Sequence, residues 1–145
     1  MWMFAGLFSI LVITTATAQS CPANQIASDA QFIIHGGNVY VADDHNHRIQ
    51  VFTPEGQYLR MFGSKGAGPG ELCGPVGVAI DGDRVYVVDV NNHRVSVFST
   101  EGKFLNSFGV KGEANAQFQS PRSVHVNKDG FILVADSDNG RIQVF

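Results

Sequence analysis

The chain has 145 residues, 44% of them hydrophobic, with 16 glycines and 11 phenylalanines, the make-up of one ordinary globular domain rather than of a disordered segment. Its 10 basic and 13 acidic side chains give a formal net charge of −3, which excludes a broad basic footprint for nucleic acid but not a local patch. Two cysteines, Cys21 and Cys73, are too few for a disulfide framework, and with no C-x-x-C or zinc-finger Cys/His spacing they offer no structural zinc site.

The chain begins with an uncharged stretch that ends before Asp29. Met1 to Ile13 is apolar, Thr-rich sequence follows, and Ala16-Thr17-Ala18 has the small-x-small form of a signal-peptidase site. Residues 1–18 therefore read as a secretory signal peptide cleaved after Ala18, and residues 19–28 as a linker. The segment departs from the pattern in lacking Lys or Arg ahead of the apolar run, and that run is shorter than the roughly 20 residues a membrane anchor needs. On this reading the mature chain is secreted and free of the membrane; a cytoplasmic location is the alternative if the segment is incidental. Whether Cys21 pairs with Cys73 stays open.

From residue 29 the sequence repeats. "VYVADDHNHRIQVFTPEGQYLRMFGSKG" from Val39 recurs as "VYVVDVNNHRVSVFSTEGKFLNSFGVKG" from Val85, and "ILVADSDNGRIQVF" from Ile132 begins a third copy, at offsets of 46 and 47 residues. Each unit holds short runs rich in Val, Ile, Phe and Tyr, separated by Asp, Asn, Gly and Pro clusters, with no helical periodicity. In the second unit the predicted strands are 77–80, 85–89, 94–99 and 103–108. Four antiparallel strands in about 45 residues make a propeller blade. The expected fold is all-β, a partial β-propeller of about two and a half four-stranded blades. Residues 29–72 form one blade whose first strand, "QFIIH", departs from the pattern; 73–118 form a full one; 119–145 stop after the third strand. Such an arc, by this reading a fragment or truncated product, has unpaired edges and depends on contacts between neighbouring repeats.

An Asp and an Arg bracket the turn between the second and third strands of every unit: Asp43 and Arg48, Asp89 and Arg94, Asp136 and Arg141. A four-residue loop sets them opposite each other as structural hairpin pairs, worth about 0.2–1 kcal/mol if exposed and more if neighbouring blades bury them. The third loop residue is Asn46, Asn92 and Asn139; the fourth is His47, His93 and Gly140. Glycine in that slot predicts a positive φ, which Asn and His tolerate better than most residues. A slot that accepts glycine is not defined by imidazole chemistry, so His47→Gly is expected to leave folding nearly unchanged. A metal bridging His47 and His93 is awkward, because equivalent points of adjacent blades should lie about 12 Å apart at a strand spacing of ~4.8 Å. No metal and no other cofactor is expected.

His125 sits in an inner strand where the other units have Ile33 and Ala79; inner strands line a propeller's channel, so it could face a ligand, packing being the plainer reading. "GSKGAGPGE" from Gly63 lacks G-x-x-x-x-G-K-[ST] and opens no helix, so it reads as a connection between blades. No nucleophile has a positioned base and no carboxylates pair at inner-strand positions, so no catalytic residue is assigned and the chain is not expected to be an enzyme. Loops after strands two and four leave the same end of a meander. His45, His47, Asn91, His93 and Asp138 should therefore share a face with Lys65, Lys111, Arg122, Glu71 and Glu113, and polar loops on a rigid scaffold are where binding is expected.

"HNHRIQVF", "NNHRVSVF" and "NGRIQVF", each following "VYVAD", "VYVVD" or "ILVAD" and twice leading into "EG" and a strand-ending "FG", resemble the NHL repeat. The resemblance spans residues 29–145 and implies a six-bladed propeller in a complete family member; the WD type is disfavoured because Trp2 is the single tryptophan. The chain is similar to the C-terminal NHL repeats of tripartite-motif proteins. That similarity implies a non-catalytic module mediating protein–protein interaction, as in the substrate-recognition propeller of tripartite-motif E3 ubiquitin ligases. Without RING cysteines, ligase chemistry would lie outside this chain. Two alternatives are an RNA-binding NHL propeller and a fragment of a secreted peptide-amidating-lyase-like zinc enzyme. In the lyase family histidines from several inner strands hold zinc, whereas here His125 alone stands in such a strand.

Overall fold

A computed structural model describes residues 30–145; the expected signal segment, the linker and Cys21 lie outside the described residues. β1 (Gln31–His35), β2 (Asn38–Asp43), β3 (Arg48–Phe52) and β4 (Tyr58–Phe62) form one sheet in chain order. β5 (Pro75–Asp81), β6 (Arg84–Asp89), β7 (Arg94–Ser99) and β8 (Phe104–Phe108) form the second. After a short parallel pair, β9 (Val110–Lys111) with β10 (Gln117–Phe118), the third sheet follows as β11 (Pro121–Val126), β12 (Ile132–Asp136) and β13 (Arg141–Val144). All neighbours within the three large sheets are antiparallel. The expected blade order is observed, including a regular ladder for the atypical "QFIIH". β5 runs longer than 77–80 because the tight turn at Gly82 lets Asp81 pair with Arg84.

The core lies between the sheets. Along "VYVVD" the two-residue period sends Val85 and Val87 to one face and Tyr86 and Val88 to the other. The first pair meets Tyr40, Ala42, Ile49 and Val51 of the first sheet. The second pair, with Ala79, Val95 and Val97, meets Val124 and Val134 of the third. The middle strands read as continuous apolar runs because both their faces are covered. Each buried Val or Phe contributes about 1.5–3 kcal/mol, so sheet-to-sheet packing is the main cohesive term.

The connections between blades are more ordered than their sequence suggests. Lys65 makes a parallel bridge to Leu72, and β9 with β10 repeats that arrangement one blade later. The bridge seats Leu72 and Phe118, both fully buried, in the seams between sheets. The "FG" ending strand four follows from this: Gly63 has φ +87°, and a Cβ there would lie 2.6 Å from Leu72 Cδ1. No helix among the described residues is long and apolar enough to cross a membrane.

Candidate binding face

The turn between strands two and three is a single 3₁₀ turn in each blade, Asp44–Asn46, Val90–Asn92 and Ser137–Asn139. It closes in the left-handed region at His47 (φ 56°), His93 (φ 52°) and Gly140 (φ 63°), the positive φ that the glycine predicted. The bracketing Asp and Arg meet: Arg48, Arg94 and Arg141 donate Nε–H to Asp43, Asp89 and Asp136 at 2.8, 2.9 and 2.8 Å. All three aspartates have no exposed surface, so these are not surface ion pairs.

Each carboxylate is a hub for several donors. Asn46, Asn92 and Asn139 donate their side-chain amides to the aspartate three positions earlier, at 2.8, 2.8 and 2.9 Å. Gln50 and Gln143 add a further N–H at 2.9 and 3.1 Å; the middle blade has Ser96 there, whose buried hydroxyl has no partner among the described residues. The same hub grips the connection from the preceding blade. Cys73 N–H and Gln119 N–H donate to Asp89 and Asp136, each at 2.7 Å. Arg94 donates to the carbonyls of Ala67, Gly68 and Glu71, and Arg141 to those of Ala114 and Gln117. Burial alone would push the Asp136 carboxyl up. The donors from Asn139, Gln119 N–H, Arg141 and Gln143 outweigh that and hold it below the usual carboxylate value. Removing one partner from such a buried charge cluster costs about 3–5 kcal/mol, well above the exposed-pair figure.

One expectation is corrected. The slot shared by His47, His93 and Gly140 is not indifferent to imidazole, because His47 Nδ1 accepts the Gly74 N–H at 3.1 Å and His93 Nδ1 accepts the Ser120 N–H at 3.1 Å. These donors belong to the connection into the next blade and would otherwise be partly buried without a partner. Gly140 satisfies the backbone requirement and has no side chain for the second task.

The hairpins and connections share one end of the blades. Val90 N–H bonds Gly74 O, Asn91 N–H bonds Cys73 O, and Asp138 N–H bonds Gln119 O. The one–two and three–four turns meet at the other end, where Thr100 N–H bonds Asp83 O. His45, Asn91 and Asp138 occupy one register in the three hairpins, and all three are exposed. Lys65 and Lys111 occupy one register in the two connections, also exposed, as is Arg122 at the start of β11. His47 and His93 are half-buried in the seams, and the Glu71 carboxylate is turned inward to accept the Gly68 N–H at 2.7 Å. Adjacent hairpins converge at Gly74, where a Cβ would stand 2.6 Å from Asn91 Nδ2 and 3.1 Å from Asp44 Oδ1.

His125 lies in β11, the first strand of the third sheet. Side chains of an inner strand alternate between the two sheet faces, and its register mates Ile33 and Ala79 pack in the seams. It pairs with Leu133, is exposed, and lines no part of the cavity of about 420 Å³ that opens among β1, β5 and β11. What reaches that cavity from β11 includes Arg122, by way of a ladder irregularity between Pro121 and Ser123 that repeats the one between Pro75 and Gly77 in β5. Among the described residues no three His, Cys, Asp or Glu side chains gather as a metal set.

Residues 72–98 and 118–145 match the NHL repeat family, and residues 2–83 match a family described as 6-bladed beta-propeller. A 46-residue segment is 48% identical to the RING finger protein nhl-1 of Caenorhabditis elegans, covering 32% of this chain and 5% of that protein. Among solved structures, an auxiliary nutrient binding protein from Bacteroides thetaiotaomicron superposes with a TM-score of 0.65 at 15% identity, over 79% of this chain and 36% of the other. Virginiamycin B lyase from Staphylococcus aureus gives 0.57 at 14% identity, over 79% and 39%. At these identities the likeness is one of fold, and the chain spans under two-fifths of either structure.

Proposed function

The chain belongs to the 6-bladed beta-propeller family and carries NHL repeats, and from that premise we propose that it is a non-catalytic binding module whose hairpin-and-connection face takes a protein partner. One observation carries this reading. Within the three hairpins the side chains bonded inward are the same, Asp, Asn and Arg, while those pointing out in one register differ: His45, Asn91 and Asp138. The hairpins keep these three inward residues and vary the one they display in that register, as expected of recognition by loops on a rigid frame. The finer proposal is substrate recognition for a RING-type ubiquitin ligase, supported by the 48% identity to a RING finger protein. The face mixes Lys65, Lys111 and Arg122 with Asp44 and Asp138, which favours protein over RNA. Secretion after cleavage at Ala18 is a competing proposal to the ubiquitin-ligase role, and N-terminal sequencing of secreted chain, if any is found, decides between them.

The experiment is affinity capture with the full chain and with a variant carrying His45→Ala, Lys65→Ala, Asn91→Ala and Lys111→Ala together. The protein reading expects a partner that the wild type retains and the variant loses at unchanged circular dichroism. Salt-dependent RNA binding lost in the same variant would replace it with the RNA reading.

A further inference from the structure

The cavity among β1, β5 and β11 has a mixed lining, with Phe32, Val76 and Val124 on its apolar side and two charged side chains, Arg122 and Asp44, beside them. Arg48, Arg94 and Arg141 are each committed to an aspartate, and Arg60 donates to Thr100 O at 2.6 Å. Arg122 is exposed and bonds no group among the described residues, the Asp44 carboxylate accepts from none of them, and the two do not pair with each other. The ladder explains the aim of Arg122. Pro121 pairs with Asp136 and Ser123 with Ala135, so Arg122 drops out of register, and such a bulge turns a side chain out of its sheet. Its backbone is held in place by β5, since a Cβ on Gly77 would lie 3.1 Å from Arg122 O. A guanidinium so placed, with an unpaired fork of donors beside the apolar side chains of Phe32 and Val76, is complementary to a carboxylate.

We propose that this cavity binds a peptide segment carrying a carboxylate. The acid sits on Arg122, an adjoining apolar side chain lies against Phe32 and Val76, and a peptide N–H donates to Asp44. The assignment rests on the protein-binding reading and gives its partner a chemistry.

Amide and guanidinium NMR of the full chain tests it with three probes: N-acetyl-Leu-Glu-amide, N-acetyl-Leu-Leu with a free C-terminus, and the neutral N-acetyl-Leu-Gln-amide. At least one acid should shift the Arg122 Nε–H and the amides of residues 76–78, 123 and 124, at least tenfold more tightly than the neutral probe. The tighter acid identifies a side-chain or a terminal carboxylate as the source. Arg122→Glu should abolish binding of the acids and bind N-acetyl-Leu-Lys-amide instead. Absence of shifts with either acid, equal affinity for the neutral probe, or acid binding unchanged in Arg122→Glu overturns the assignment. Capture of the protein partner that survives Arg122→Glu but fails in the loop variant refutes the cavity while leaving the protein-binding reading intact; capture that survives both refutes that reading itself.

Discussion

The pentapeptide Arg-Ile-Gln-Val-Phe occurs twice, as residues 48–52 and 141–145, and serves as the third strand of a sheet both times. Its two copies make the same contacts to the hub aspartate and differ in their apolar surroundings. Arg48 and Arg141 both reach their aspartate at 2.8 Å, and Gln50 and Gln143 both add an amide. Ile49 and Val51 are completely buried against the middle sheet, whereas Ile142 and Val144 are 67% and 60% exposed. The hub is thus furnished by a blade's own hairpin together with the connection entering it. Apolar burial, by contrast, is a property of the neighbouring blade and not of the strand.

The strongest way to break the comparison is at the hub of the middle blade. Asp89→Ala should cost about 3–5 kcal/mol in urea unfolding, because Arg94, Asn92 and the Cys73 N–H all lose their acceptor together. Acid should act on the third hub in the same sense. A carboxyl held below its unfolded value stabilises the fold above the ordinary carboxylate range, and that contribution is lost as pH falls through the folded value. Asp136→Asn should accordingly flatten the acid limb of a stability-against-pH curve recorded by circular dichroism.

The two copies themselves give the next largest contrast. In the 145-residue chain itself, Ile49→Ala should cost about 2–5 kcal/mol for the cavity it opens, while Ile142→Ala should stay within about 0.5 kcal/mol; equal losses in that chain would show that the strand, not its neighbour, sets the burial. His47→Gly is smaller still. Losing the bond to Gly74 costs about 0.5–1.5 kcal/mol, partly offset by glycine's ease at positive φ, and faster hydrogen exchange at the Gly74 amide reports it.

Strands, blade order, the positive φ of the hairpin and its Asp–Arg pairs were all legible, because a period of two and a glycine in the third copy each report a local requirement. What escaped depends on distant partners. The acceptors at His47 and His93 serve donors 27 residues away, and comparing hairpins with one another cannot reveal a bond that leaves the hairpin. A signal was present in Gly74-Pro75 and Ser120-Pro121, both donors directly preceding a proline and both at positive φ, 73° and 46°. Arg122 was placed on the binding face from topology alone, and the bulge that aims it was not read, although it recurs after Pro75 and Pro121 in successive repeats.

The most direct test of the central claim, that one end of the blades is the recognition face, is site-specific photo-crosslinking in cells. A photoreactive side chain is placed at Asn91 on the hairpin end or at Asp83 on the opposite end, both exposed in the same blade. Protein adducts should form from position 91 and stay at background from position 83. Comparable adducts from position 83, or adducts from position 91 that prove to be RNA, would contradict the account.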